Sequence, residues 1–94
     1  RRLERIRAIV RQTALIEAGR AEARLAQLET LGQRTAGLIA GYASRTDAQC
    51  GEDLARQGAF VAGLARMAET TRTDIARARD NADRRAAEAA AAER

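Results

Sequence analysis

Between residues 3 and 42 the apolar and small side chains recur at alternating steps of three and four: Leu3, Ile6, Val10, Ala14, Ala18, Ala21, Leu25, Leu28, Gly32, Thr35, Ile39 and Tyr42. That spacing gathers them on one face of a helix with 3.6 residues per turn, the seam of a coiled coil. It predicts a first helix over about 2–43, about 60 Å long. The pattern breaks at Ala43-Ser44-Arg45-Thr46-Asp47, which predicts a turn at about 44–47. Ser44, Thr46 and Asp47 are good N-cap residues, and Thr46 stands three before Gln49, the spacing of a capping box. A second helix over about 48–92 follows. Its alternative start lies after Gly51, with Glu52 and Asp53 in the first turn, where carboxylates favour the positive end of the helix dipole. The second seam reads Leu54, Gly58, Val61, Leu64, Ala68, Thr71, Ile75, Ala78, Ala82, Ala86 and Ala89.

Two helices of nearly equal length joined by a short connection pack antiparallel. The expected fold is therefore all-α: a two-helix antiparallel coiled-coil hairpin, one domain over residues 1–94. If facing residue numbers add to about 95, Gly32 meets Gly63, Gly37 meets Gly58, Leu28 meets Met67 and Leu31 meets Leu64. The paired glycines would let the backbones approach closely; alternatively Gly32, Gly37 and Gly41 interrupt the first helix, since glycine weakens a helix interior. Beyond Ile75 the second seam is alanine only, set against Leu3, Ile6, Ile9, Val10, Leu15 and Ile16, so that end should bury little area and hold weakly. Ile9, Ile16, Leu31 and Leu38 form a second stripe about 100° around the first helix. A lone hairpin leaves it in water. It reads as a surface for another helix or protein, against the plainer account of scattered surface apolars.

Composition agrees with long helices and narrows the chemistry. About a quarter of the 94 residues are alanine, proline is absent, and Tyr42 and Phe60 are the only aromatics. Such a chain lacks the material for a thick core. It has no histidine, the usual general base near neutral pH. Cys50 is the sole cysteine, so an internal disulfide is impossible, and neither a zinc site nor any other metal or cofactor site is expected. No lysine follows a glycine-rich loop to make a phosphate cradle. The carboxylates lie mostly beside arginines; Glu52 and Arg56, for example, have the spacing of an ordinary surface ion pair. No catalytic constellation emerges, and the chain reads as non-enzymatic. No apolar run approaches the roughly 20 residues that cross a bilayer.

All 17 basic residues are arginine, for which a GC-rich genome is a sufficient reason, and the net charge is +4. Its distribution is uneven: residues 1–11 carry a net +4, residues 77–94 a net +1, and the middle a net −1. A hairpin brings both termini to one end, which makes that end basic. Such an end suits phosphates, an anionic membrane surface or an acidic protein cavity. No aromatics interleave the arginines to stack bases, which argues against nucleic acid. The alanine-rich C-terminal segment offers no large apolar face to a membrane.

The opening Arg2-Leu3-Glu4-Arg5-Ile6-Arg7, the segment Leu38-Ile39-Ala40-Gly41-Tyr42 and the re-entry Gly58-Ala59-Phe60-Val61-Ala62-Gly63-Leu64 together resemble the FliJ family of flagellar export proteins and the related YscO-type proteins of type III secretion. The resemblance is one of pattern. The family is usually longer and uses more Gln and Lys. It implies a stalk-like role: a terminal end entering the pore of a hexameric export ATPase, other parts contacting the export gate, in the cytoplasm at the inner face of the membrane. On this reading the partner-binding residues are the basic tip, Arg1, Arg2, Arg5, Arg7, Arg84 and Arg85, and the stripe, Ile9, Ile16, Leu31 and Leu38. The rival expectation is a coiled-coil scaffold that self-associates, burying the stripe in a homodimer.

Overall fold

The computed structural model describes residues 1–44 and 51–94. They form an all-α helical hairpin of two 42-residue helices, α1 (Arg2–Ala43) and α2 (Gly51–Ala92). The turn expected at about 44–47 and the capping residues Thr46, Asp47 and Gln49 fall largely or wholly outside the described residues. Glu52 and Asp53 occupy the first turn of α2 as described, and Arg56 pairs with both, at 3.9 and 3.1 Å. None of the described helices is long and apolar enough to cross a membrane.

Helix α1 runs unbroken through Gly32, Gly37 and Gly41, and no described glycine takes a positive φ. The interruption weighed from the sequence does not occur. A run of strong helix formers such as Ala, Arg and Leu outweighs the isolated glycines.

The described residues cluster into two compact units: Arg1–Gln27 with Ile75–Arg94, and Leu28–Asp74. In each, a stretch of α1 lies antiparallel to a stretch of α2. In the second unit Thr35 Oγ1 lies 3.9 Å from Met67 Sδ, and the Tyr42 and Phe60 rings pack with centroids 4.8 Å apart. Gln57 Nε2 donates to the Tyr42 carbonyl at 3.1 Å, satisfying one of the acceptors left open in the last turn of α1. In the first unit Arg85 Nη1 donates to Glu17 Oε2 at 2.8 Å.

These pairs correct the expected register. The numbers of each facing side-chain pair, Thr35 with Met67, Tyr42 with Phe60 and Glu17 with Arg85, add to 102 rather than about 95. The slip is seven residues, one heptad. It leaves seam facing seam, because a heptad pattern is unchanged by a shift of seven. It also removes the glycine pairing: a Cβ built on Gly37 or Gly58 meets nothing within 4 Å, and one on Gly63 meets only the tip of Arg66. No close backbone approach at Gly37 or Gly58 explains these residues.

The seam of α1 is otherwise as read. From Ala14 to Tyr42 every seam position is withdrawn from water, with Ala21, Leu28 and Thr35 buried. Upstream it fails: Leu3, Ile6 and Val10 are 69%, 50% and 55% exposed. The steps of four from Ile6 to Val10 to Ala14 advance the stripe by about 40° each, so these residues rotate off the line that faces α2. In the observed register Leu3 and Ile6 also lie beyond the level of Arg94, not against alanines. On α2 the seam departs at three positions: Leu54, 60% exposed, and Gly58 stay in water at its start, and it departs again near the C-terminal end. Ala86 is exposed, and Arg85 takes its place between the buried Ala82 and Ala89.

Both cores are thin. Among the described residues, Leu28 and Leu64 are the only large apolar side chains that are buried, and Ala21, Ala82 and Ala89 complete the buried apolar set. Leu28→Ala and Leu64→Ala are each expected to cost about 2–4 kcal/mol, a large share of the stability available to so small a core. Gly37→Ala should raise stability by about 0.5–1 kcal/mol, since the added methyl is unhindered and the helix loses its most flexible residue type. Urea unfolding followed by circular dichroism measures both, and a destabilised Gly37→Ala would show that the backbone there is more constrained than its open surroundings indicate.

Candidate functional site

Two surfaces of α1 carry the residues singled out from the sequence. The first is its N-terminal turns. Arg1, Arg2, Arg5 and Arg7 are exposed and form no ion pair among the described residues. Arg1, Arg2 and Arg5 line a shallow hollow with Ile6 and Ile9. On the far side of the same turns, Arg7 and Arg11 line a second hollow with Glu4, Glu93 and Arg94. Arg94 thus joins this end, which sequence reasoning did not single out.

Arg84 and Arg85 do not join it. With Arg85 against Glu17, they stand about ten residues along α1 from Arg7, or about 15 Å. Arg84 is exposed, whereas Arg85 is held inside its own unit, donating to Glu17 at 2.8 Å and to Glu88 at 3.2 Å. The signal for Arg85 was in the pattern. The steps 78, 82, 85, 89, 92 keep the three–four alternation, but the arginine at 85 disguised a seam position as a surface one.

The second surface is the stripe. In the first unit Ile9 and Ile16 are 55% and 47% exposed, and in the second Leu31 and Leu38 are 43% and 51% exposed. At 100° per residue Arg2, Arg5 and Arg20 share the face of Ile9 and Ile16, and Arg34 that of Leu31 and Leu38, whereas Glu4, Glu22 and Glu29 fall on the far side of the seam within their own units. In the first unit the edge of the stripe meets α2 in a groove of Ile9, Val10, Thr13, Ala14, Glu17, Glu88 and Ala92. Arg85 bridges the two carboxylates of that groove.

Among the described residues, no group of His, Cys, Asp or Glu is arranged to hold a metal ion, and no buried side-chain nitrogen or oxygen lacks a partner. The hollows are open and shallow, of a form that suits contact with another surface rather than enclosure of a small molecule. Comparison with protein families, curated proteins and solved structures finds no match to this chain.

The Glu17–Arg85 ion pair ties α1 to α2 within the first unit. Its side chains are 41% and 39% exposed, so solvent screens it, and its contribution is about 0.5–1 kcal/mol. A double-mutant cycle on Glu17→Gln and Arg85→Gln should return a coupling of that size, shrinking in about 1 M salt. Zero coupling at low salt would reduce the pair to a surface contact.

Proposed function

We propose that this chain is a non-enzymatic coiled-coil adaptor that works by binding other proteins. In its specific form it is a stalk component of a flagellar or related type III protein-export ATPase, steadying or activating the ring and linking it to the export gate. The observation that carries this reading is the set Arg1, Arg2, Arg5 and Arg7: four exposed cations on the first turns of one helix, with no carboxylate of the described chain paired to them. A cluster in that state is free to meet an acidic cavity, and arginine is well suited to bidentate contact with carboxylates. The narrow alanine seam of the first unit, with Ala82 and Ala89 buried, supports the same reading, because closely packed helices enter a pore more readily than a thick bundle. The pattern resemblance to FliJ and YscO-type proteins supplies the identity of the ring.

A second reading has its own observation. The exposed Ile9, Ile16, Leu31 and Leu38 favour a scaffold that associates with itself.

The test of the stalk reading mixes the chain with the flagellar export ATPase of its own organism and follows hexamer formation and ATP hydrolysis. Stimulation near equal stoichiometry is expected. Reversal of Arg1, Arg2, Arg5 and Arg7 to glutamate should lower affinity by at least about a hundredfold, since each lost contact with an acidic partner costs on the order of a factor of three to ten. No binding by the unchanged chain at low salt would overturn the export role.

A further inference from the structure

We propose that one face of α1 in the first unit lies on an anionic lipid surface, with its isoleucines at the edge of the acyl layer and its arginines at the headgroup phosphates. The inference goes beyond the export reading and uses residues of the first unit alone.

Charge on this part of α1 is sorted by angle. At 100° per residue, an arc of about 100° carries four arginines, Arg2, Arg5, Arg20 and Arg24, and three isoleucines, Ile6, Ile9 and Ile16. No carboxylate of the same stretch falls on it. Glu4 and Glu22 lie on the opposite side of the helix. Glu17, at the edge of the arc, is held by Arg85 at 2.8 Å, and Arg85 also takes Glu88 of α2 at 3.2 Å. Ile6, Ile9 and Ile16 are 50%, 55% and 47% exposed. The four arginines are exposed and form no ion pair among the described residues. Arg2 and Arg5 line a hollow with Ile6 and Ile9, Arg20 and Arg24 line another farther along, and a groove of Ile9, Val10 and Ala92 lies between. Cations thus stand at both ends of an apolar row, over about 33 Å of helix from Arg2 to Arg24.

The mixture of the two residue types selects the occupant. Arg2 and Arg20 share one angle, and Ile9 and Ile16 lie within about 40° of it, so whatever covers the isoleucines also covers the arginines. A nucleic-acid backbone pairs the arginines but leaves the isoleucines in water. A protein groove needs a buried carboxylate placed for each arginine, and desolvating those pairs is costly. A lipid surface meets both needs at two depths. Aliphatic side chains enter the boundary of headgroups and acyl chains by about 5–10 Å, while arginine stems bend back and keep the guanidinium with the phosphates. Anionic headgroups lie at every point of such a surface, so no fixed spacing of acids is required. The alanines at the end of α2 bring nothing large to this contact; the apolar material is on α1. No described helix is long and apolar enough to cross a membrane, and the helix here lies along the surface. Each arginine beside an anionic leaflet raises affinity about fivefold, so four of them make binding depend steeply on lipid charge and on salt.

Vesicle flotation and tryptophan depth measurements test the proposal on the full chain. Vesicles with about a third phosphatidylglycerol in phosphatidylcholine should bind it, phosphatidylcholine alone should not, and about 0.5 M salt should release most of it. Arg20→Gln with Arg24→Gln is expected to weaken binding by about tenfold or more. The chain has no tryptophan, so a single one reports its own depth. Ile9→Trp should shift its emission to the blue and be quenched by brominated acyl chains on binding. Leu15→Trp, at a site 54% exposed and about 120° around α1 from Ile9, should keep the emission of a residue in water. Both sites are exposed, and circular dichroism checks that the variants keep their helix. No binding to anionic vesicles at low salt overturns the proposal, and so does insertion of Leu15→Trp in place of Ile9→Trp. Adsorption with both tryptophans left in water also overturns it, because that marks attraction by charge alone. A chain that stimulates the export ATPase and ignores anionic vesicles overturns the lipid face and leaves the stalk reading standing; a chain that inserts Ile9→Trp into vesicles with no effect on the ATPase does the reverse.

Discussion

The contact between α1 and α2 at the heptad positions is what orders both 42-residue helices, and it is made almost entirely of small side chains. Isolated helices of this composition are partly formed in water, but tertiary packing fixes them. Leu28 and Leu64 supply the large buried surfaces; Thr35 and Thr71 are buried beside them, and alanine fills most of the rest. Thr35 keeps its hydroxyl satisfied by donating to the Leu31 carbonyl of its own helix at 2.9 Å, so its burial leaves no polar group stranded. A small seam lets the helices come close, yet each added turn contributes little apolar area. The remaining features of the hairpin follow from that shortage.

Much of the fold was legible because it depends on period alone. Alternating steps of three and four located both helices, and the withdrawn residues of α1 from Ala14 onward are those the alternation selected, with Glu17 added. The register was not legible, for the same reason that the seam was. A heptad pattern matches itself after a shift of seven, so periodicity cannot distinguish Leu28 over Met67 from Thr35 over Met67. The choice rests on particular side chains: the Tyr42–Phe60 ring contact, the Gln57 amide on the Tyr42 carbonyl, and Glu17 with Arg85. The seam of α1 also fails before Ala14, where successive steps of four look helical residue by residue but drift around the axis.

The candidate surfaces divide along the same line. Exposure of Ile9, Ile16, Leu31 and Leu38 depends only on which face of α1 meets α2, and the seam had already settled that. Where Arg84 and Arg85 stand depends on register, so the sequence could place them at the terminal end only by assuming the wrong pairing. Arg85 shows the physical reason. On a seam of alanines there is room for a long side chain to lie along the contact, with its guanidinium between Glu17 and Glu88 and its stem over the small neighbours. An arginine at a seam position is compatible with a coiled coil when the residues around it are as small as Ala82 and Ala89.

A seam this thin ties stability to association. Any partner that binds the folded hairpin and not the unfolded chain stabilises it by an amount that grows with partner concentration over dissociation constant, about 2.7 kcal/mol at a hundredfold excess. For a fold whose largest buried side chains are two leucines, that increment is comparable to the loss of one of them. Binding and folding are then read by the same measurement. The unfolding midpoint of this chain should depend on its own concentration if a second copy is the partner, and on the concentration of another protein if it is not. Apolar residues on the outer face of α1 strengthen that coupling without strengthening the hairpin itself, because they contribute only when something covers them.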